Sequence, residues 1–304
     1  MRAKLGIAPI AWSNDDLPEL GGSTTLETCL TEARAAGFTG VETGGKFPKT
    51  AAELRPILDA HGLSLTSGWY SGTVLDATDD LAAEKEQAAG QLALFRALGA
   101  PCIVYGETAG TLQNRRNAPL ALRRRLWEDE IKSYGRRLTR FAEYCAERGV
   151  PLAFHHHMAT AIESERDIDL LMQHTGPAVG LLYDTGHLRF ANGDLFRVLE
   201  KHGKRINHVH TKDIRANVVD GLDRERQSFL DAVLAGAFTV PGDGSIDFHI
   251  VINRLAEIGY EGWFVVEAEQ DPAKAPPAEF AKIGYRVLSQ ALKNAGYSIE
   301  GEIK

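Results

Sequence analysis

Short apolar runs recur along the chain, and four of them stop on a side chain able to bind a metal or move a proton. Val179-Gly-Leu-Leu-Tyr-Asp-Thr-Gly-His187 is apolar up to Asp184 and offers His187 three residues later. Leu152-Ala-Phe-His-His-His-Met158, Ile206-Asn-His-Val-His-Thr-Lys-Asp213 and Trp263-Phe-Val-Val-Glu-Ala-Glu-Gln270 share the design. Runs of this length and apolarity read as strands buried on both faces. A buried strand ending in a charged group, with a helix next, is how an α/β barrel presents a catalytic side chain.

In order, the pattern predicts strands at Leu5–Trp12, Gly40–Gly45, Ser64–Trp69, Cys102–Tyr105 and then the His-rich run. The Asp184 run, a strand ending near His210 and one at Trp263–Glu267 complete the series. Helices are expected between them: one capped by Ser23 or Thr24 and ending before Gly37, then Ala51–Ala60, Asp80–Leu98, a stretch ending at Arg148, Glu163–Met172, Leu195–Lys201, one ending at Ile258, and Ala278–Asn294. Two loops are long, Gly106–Pro119 and Ile214–Phe248; the first reads as a cover over an active site. Eight strand–helix alternations predict a parallel sheet closed into a (β/α)8 TIM barrel, an α/β fold in one domain over residues 1–304 with its last helix at about 278–294. An open doubly wound sheet would carry a glycine-rich phosphate loop after an early strand; Gly40–Gly45 fits neither GxGxxG nor a P-loop.

With 304 residues, 44% of them hydrophobic and 25% charged, the chain is long enough for one such barrel. A formal net charge of −7 argues against nucleic acid as a partner. The basic cluster Arg123-Arg-Arg125 with Arg136, Arg137 and Arg140 reads as a solvated helix face. Cys29, Cys102 and Cys145 form no CxxC pair and leave an odd count, which points to a reducing cytoplasm. No apolar segment approaches the roughly 20 residues of a membrane helix, and the N-terminal run, broken by Gly6 and Pro9, reads as a strand rather than a leader. Homo-oligomerisation is left open.

Residues two apart in a strand share a face. His155 and His157 therefore point together, as do His208 with His210 and Glu267 with Glu269, while His156 turns away. Barrel sites form at the carboxyl ends of the strands, so these endings meet. Two imidazoles and two carboxylates form a mixed nitrogen–oxygen site suited to Mn²⁺, Co²⁺ or Zn²⁺ rather than Mg²⁺. Simpler readings exist for single residues: Asp184 as a helix cap, His208 as a structural histidine, Glu269 as a rim ion pair.

The chain resembles the xylose isomerase-like barrels and, within them, the inosose dehydratase (2-keto-myo-inositol dehydratase) family. The likeness rests on Glu42-Thr-Gly-Gly-Lys-Phe-Pro48, His155-His-His-Met158, Leu182-Tyr-Asp-Thr-Gly-His-Leu188, His208-Val-His-Thr-Lys-Asp-Ile-Arg215, Phe238-Thr-Val-Pro-Gly-Asp-Gly244 and Glu261-Gly-Trp-Phe-Val-Val-Glu-Ala-Glu-Gln-Asp-Pro272. The superfamily's Glu–Asp–His–Glu metal set then implies Asp184, His210 and Glu267 as ligands. His155 stands where the usual glutamate would be, with His157 or water as alternatives for that position. The resemblance implies a lyase that removes water from a cyclic polyol ketone, giving a trihydroxycyclohexane-dione in myo-inositol catabolism, with Mn²⁺ or Co²⁺ and an association with glutathione.

For the acid and base, His157 and His187 are candidates because a neutral imidazole accepts a proton near neutral pH, with Glu42 a further candidate. Lys212, Arg215 and Lys46 are expected to orient substrate oxygens, and Trp12, Trp69 and Tyr105 to form apolar walls. The leading alternative is a metal-dependent ketose or polyol epimerase or isomerase, which keeps all its substrate's oxygens.

Overall fold

In the computed structural model, which describes residues 1–301, eight parallel strands close into a barrel. They are β1 (Arg2–Ile7), β2 (Gly40–Thr43), β3 (Ser64–Gly72), β4 (Ile103–Glu107), β5 (Leu152–His155), β6 (Val179–Asp184), β7 (Ile206–His210) and β8 (Gly262–Val266). Each pairs with its neighbour in sequence, and the register Ala3↔Gly262 through Ile7↔Val266 joins the last to the first. A two-residue strand, Ser298–Ile299, pairs with Arg2 and Ala3 at the lower end of β1. Residues 302–304 of the expected 1–304 unit lie outside the described residues.

Helices cover the outside because strands such as β4 and β6 are buried along their whole length and have apolar faces to bury. The lower barrel is plugged by Trp263. A Cβ at Gly40 would stand 2.5 Å from that indole, so only glycine lets β2 pass it. With that end filled, open space lies above the carboxyl ends of the strands.

Several boundaries differ from the pattern. β1 stops at Ile7, and Pro9, which has no N–H to give a strand, starts the 3₁₀ turn Pro9–Ala11. β3 runs past Trp69 to Gly72, and β8 ends at Val266, leaving Glu267 just beyond it. A short helix, Thr185–Phe190, precedes Leu195–His202 after β6. Arg123–Arg125 precede the helix Glu128–Glu147 instead of lying on it. Arg123, expected on a solvated face, is buried against Asp167 (2.8 Å) and Glu163 (3.5 Å). In the long segment after β7, Asp213–Ile214 pairs antiparallel with Phe238–Thr239.

Glu107, the last residue of β4, ties the loop above it to the barrel. Its Oε1 accepts the Ala109 N–H at 2.9 Å, and its Oε2 accepts Leu75 N–H at 3.0 Å and the Tyr105 hydroxyl at 2.8 Å. Burial pushes its carboxyl up to about 7 in spite of these donors. A carboxyl raised in the folded state stabilises the fold below its unfolded value and loses that contribution as pH climbs through the folded one. Between pH 4.5 and 7, wild type should therefore lose up to about 3 kcal/mol relative to Glu107→Gln. Thermal unfolding of both proteins across that range reads the difference, and parallel pH profiles would refute it.

Candidate active site

The carboxyl ends of the strands open into a cavity of about 820 Å³, with His155, His157, His210, Glu267 and Glu269 in its wall and Glu42 beside them. β6 hands over to helix at Asp184, whose Oδ1 caps the next turn by accepting the His187 N–H at 2.8 Å. The other oxygen, Oδ2, is free to face its neighbours. It stands 3.3 Å from His155 Nε2 and 3.5 Å from His210 Nδ1, which is in turn 3.5 Å from Glu267 Oε2. Donor atoms bonded at about 2.1 Å to one tetrahedral ion sit about 3.4 Å apart. The spacing thus fits a first-row divalent cation.

The tautomer fits as well. His210 Nε2 faces Glu42 Oε1 at 3.0 Å, whereas its buried Nδ1 makes no hydrogen bond. Burial opposes charge on this ring, but Glu42, Asp184 and Glu267 raise its value well above an ordinary histidine; an ion displacing the second proton would leave Nε2–H on Glu42 and the Nδ1 lone pair facing Asp184 and Glu267. Glu42 also accepts from the Ser67 hydroxyl and faces His208 Nε2 at 3.2 Å. Burial would raise the Glu42 carboxyl, but His210 and His208 hold it well below the usual range. Asp184 is likewise depressed against burial; His187, being neutral, adds no charge, so Lys212 and the imidazoles of His155 and His210 are what hold it down. Burial keeps His155 well below an ordinary histidine, so its ring is neutral and able to donate a lone pair.

Lys212 lies beneath this group, fully buried. Its Nζ is 2.6 Å from Glu267 Oε2, 2.7 Å from Glu269 Oε2, and 2.7 Å from His187 Nε2, to which it donates. Burial pulls the ammonium down, but the carboxylates outweigh it and raise the group above a normal lysine. Burial and this ammonium drive His187 far below its usual value, so His187 is neutral. Glu269 is held at about 2 against burial, chiefly by Lys212 and then His157. His157 donates from Nδ1 to the Met158 carbonyl at 3.0 Å and turns Nε2 toward Glu269 Oε1, 3.5 Å away. Burial works against its charge, but Glu269 prevails and its value is raised.

The structure brings His155, Asp184, His210 and Glu267 together, and puts His157 in the cavity wall. His187 lies behind His157, with ring centroids 4.1 Å apart, and is fully buried. Glu42 has three neighbours on its carboxylate and backs His210. Trp12 and Trp69 line the cavity, Trp69 standing edge-on to His155 and His157. Lys46 lines the rim, where its ammonium caps the Gly21, Gly22 and Thr24 carbonyls. Three expected substrate contacts take other places. Lys212 is sealed under the carboxylates. Tyr105 packs outward among Tyr70, Phe141 and Phe154, with its hydroxyl on Glu107. Arg215 binds the Gly236 carbonyl and Asp243, pinning the long segment after β7.

Glu269 is the partner that sequence reading set aside as a rim ion pair; its two-residue offset from Glu267 was the signal. Asp16 and Gln113 also reach the cavity, from loops whose sequences carry no periodic signal.

Residues 30–291 match the family model described as xylose isomerase-like TIM barrel. The chain is 48% identical over 299 residues to the rhizopine catabolism protein MocC of Rhizobium meliloti, spanning 98% of this chain and 91% of that protein. It is 46% identical over 282 residues to an inosose dehydratase of Geobacillus thermodenitrificans, spanning 92% and 94%. A solved L-ribulose 3-epimerase superposes with a TM-score of 0.66 at 18% identity, covering 96% of this chain and 95% of that one.

Removing one partner of a buried ion pair strands the other charge, at about 3–5 kcal/mol. Lys212→Met should therefore lower the unfolding midpoint sharply, and adding Glu269→Gln should recover part of the loss. Calorimetric scans of the two variants check this; a single variant as stable as wild type would show that the ammonium is not what balances the carboxylates.

Proposed function

Since the chain belongs to the xylose isomerase-like TIM barrel family and, within it, to the inosose dehydratase family, we propose that it is a metal-dependent hydro-lyase acting on 2-keto-myo-inositol. The reading is carried by one observation: the donor atoms of His155, His210 and Glu267, in the cavity wall, and of Asp184, buried just behind them, lie in succession 3.3–3.5 Å apart beside the His157–Glu269 pair. These four residues would hold the ion, and their mixed donors favour Mn²⁺ or Co²⁺, with Zn²⁺ also accommodated. When bound, a divalent cation supplies Lewis acidity toward the ketone.

The remaining chemistry belongs to the chain. Dehydration passes the hydrogen beside the ketone to a base as a proton and expels the neighbouring hydroxyl, with a proton from an acid, as water; the enol left behind tautomerises, its carbon–carbon double bond giving way to the second carbonyl of a trihydroxycyclohexane-1,2-dione. His157 is suited to protonate the departing hydroxyl, because Glu269 keeps its ring charged and Nε2 is the nitrogen turned away from the backbone. Glu42 fixes the His210 tautomer, and Trp69 offers an apolar edge to the ring. The three cysteines are unpaired and buried, which supports a cytoplasmic home. No helix among the described residues is long and apolar enough to cross a membrane.

The identity to MocC favours a second reading, in which the same site serves rhizopine catabolism. Purified protein incubated with inosose separates the two. Appearance of a conjugated dione, abolished by chelation and restored by Mn²⁺ or Co²⁺ with or without glutathione, supports dehydration. A product that retains every oxygen would instead mark an epimerase or isomerase, and untouched inosose would favour the rhizopine reading.

Glu42→Gln leaves the ligands in place but loosens His210, so metal affinity should fall about 10- to 100-fold in a titration followed by calorimetry. For His157, whose charged form is the donor and whose value is raised, kcat/KM should hold at low pH and fall as pH rises through that value. His157→Gln should abolish this limb, and an unchanged profile would remove His157 from the reaction.

A further inference from the structure

The cavity floor can bind and protonate a ring, but nothing described so far selects which ring carbon meets His157. The cavity wall offers one further carboxylate, Asp16, from the loop after β1. Asn14 shapes that loop by accepting the Asp16 and Leu17 N–H groups at 2.8 and 3.0 Å, and Asp15 anchors it to Gly45. Asp16 itself serves neither purpose. Its side chain hydrogen-bonds Gln113 of the loop after β4, whose Nε2 is 3.4 Å from Asp16 Oδ2, and the Gln113 Oε1 contact to the Thr111 hydroxyl is equally long. Both bonds are at the weak end of hydrogen-bond range, and both residues line the cavity that holds His157 and Glu269.

We propose that Asp16 and Gln113 form a hydroxyl grip that holds a vicinal diol of a neutral cyclic polyol and so fixes which carbon is presented to His157. A carboxylate accepts two neighbouring O–H groups at once, and an amide beside it gives one donor and one acceptor. The fold leaves that capacity unspent: Asp16 is half-buried with no lysine or arginine in contact, and burial raises its carboxyl above the usual range although the charge on His157 draws it down. Hydroxyl donors would relieve that penalty. The grip also discriminates by charge. Five carboxylates, Asp15, Asp16, Glu42, Glu267 and Glu269, line the cavity against the two cations Lys46 and Arg115, so a phosphorylated sugar meets an excess of negative charge where a neutral polyol meets acceptors.

The substrate class rests on the dehydratase reading, but the grip can be tested without turnover. Calorimetry of the metal-loaded full chain with myo-inositol, a cyclic hexol, should give a Kd that rises about tenfold or more in Asp16→Ala and in Gln113→Ala, with unfolding midpoints unchanged. Asp16→Asn, which keeps shape and one acceptor, should recover part of the affinity. With inosose as substrate, the same variants should raise KM more than they lower kcat. Equal myo-inositol affinity in wild type and Asp16→Ala overturns the proposal, as does failure of the wild type to bind the hexol. A wild type that binds it, loses it in Asp16→Ala and yet dehydrates nothing would uphold the grip while refuting the activity.

Discussion

The upper barrel depends on one buried ammonium. Glu267 and Glu269 leave β8 on the same side, and two carboxylates that close repel each other in a medium that screens poorly. Lys212 lies within 2.7 Å of both and of His187. One cation therefore stands against Glu267 in its place near His210, keeps Glu269 ionised beside His157, and keeps His187 neutral. The lysine does not touch the cavity, yet it determines the charge of two groups around it. Gly186 adds to the arrangement, since a Cβ there would meet the Lys212 stem at 2.4 Å.

Charge balance links this lysine to the metal reading. Glu42, Asp184, Glu267 and Glu269 are four buried carboxylates, and Lys212 with a charged His157 answers two of them. His210, which Glu42 and Asp184 raise against burial well above an ordinary histidine, holds a proton against the remainder, and a divalent cation between His155, Asp184 and His210 would take that proton's place and complete the balance. Burying charge without a partner is expensive enough that such a balance is expected. The neutral His155, where the resemblance implies a glutamate, adds no further negative charge to this group.

Much of this was legible in the chain. Buried parallel strands are nearly all apolar, so the residues where the apolar run breaks, Asp184, His155, His210 and Glu267, announce themselves. The two-residue period also paired Glu267 with Glu269. What the sequence hid was direction. Tyr105 sits on a strand like Trp69, but the outward face of β4 meets the helix layer, and its hydroxyl is taken by Glu107. Arg215 follows a ligand strand as Lys212 does, yet the turn at Asp213–Ile214 sends it to the excursion's own carbonyls. Periodicity gives which residues share a face, not which face is the inner one once a strand has ended. Asp16 and Gln113 were invisible because loop geometry, here set by Asn14 and Glu107, follows from contacts distant in sequence.

The division between floor and rim bears on how one barrel serves more than one substrate. Floor residues stand at strand ends, where backbone hydrogen bonding on both sides fixes them, and their chemistry needs only a carbonyl and a neighbouring hydroxyl. Rim residues stand on loops that can change without disturbing the strands. On the proposed reading, substrate choice would rest with loop residues such as Asp16 and Gln113, and reaction type with His157 and Glu269. The two can evolve separately because they share a cavity but no backbone element.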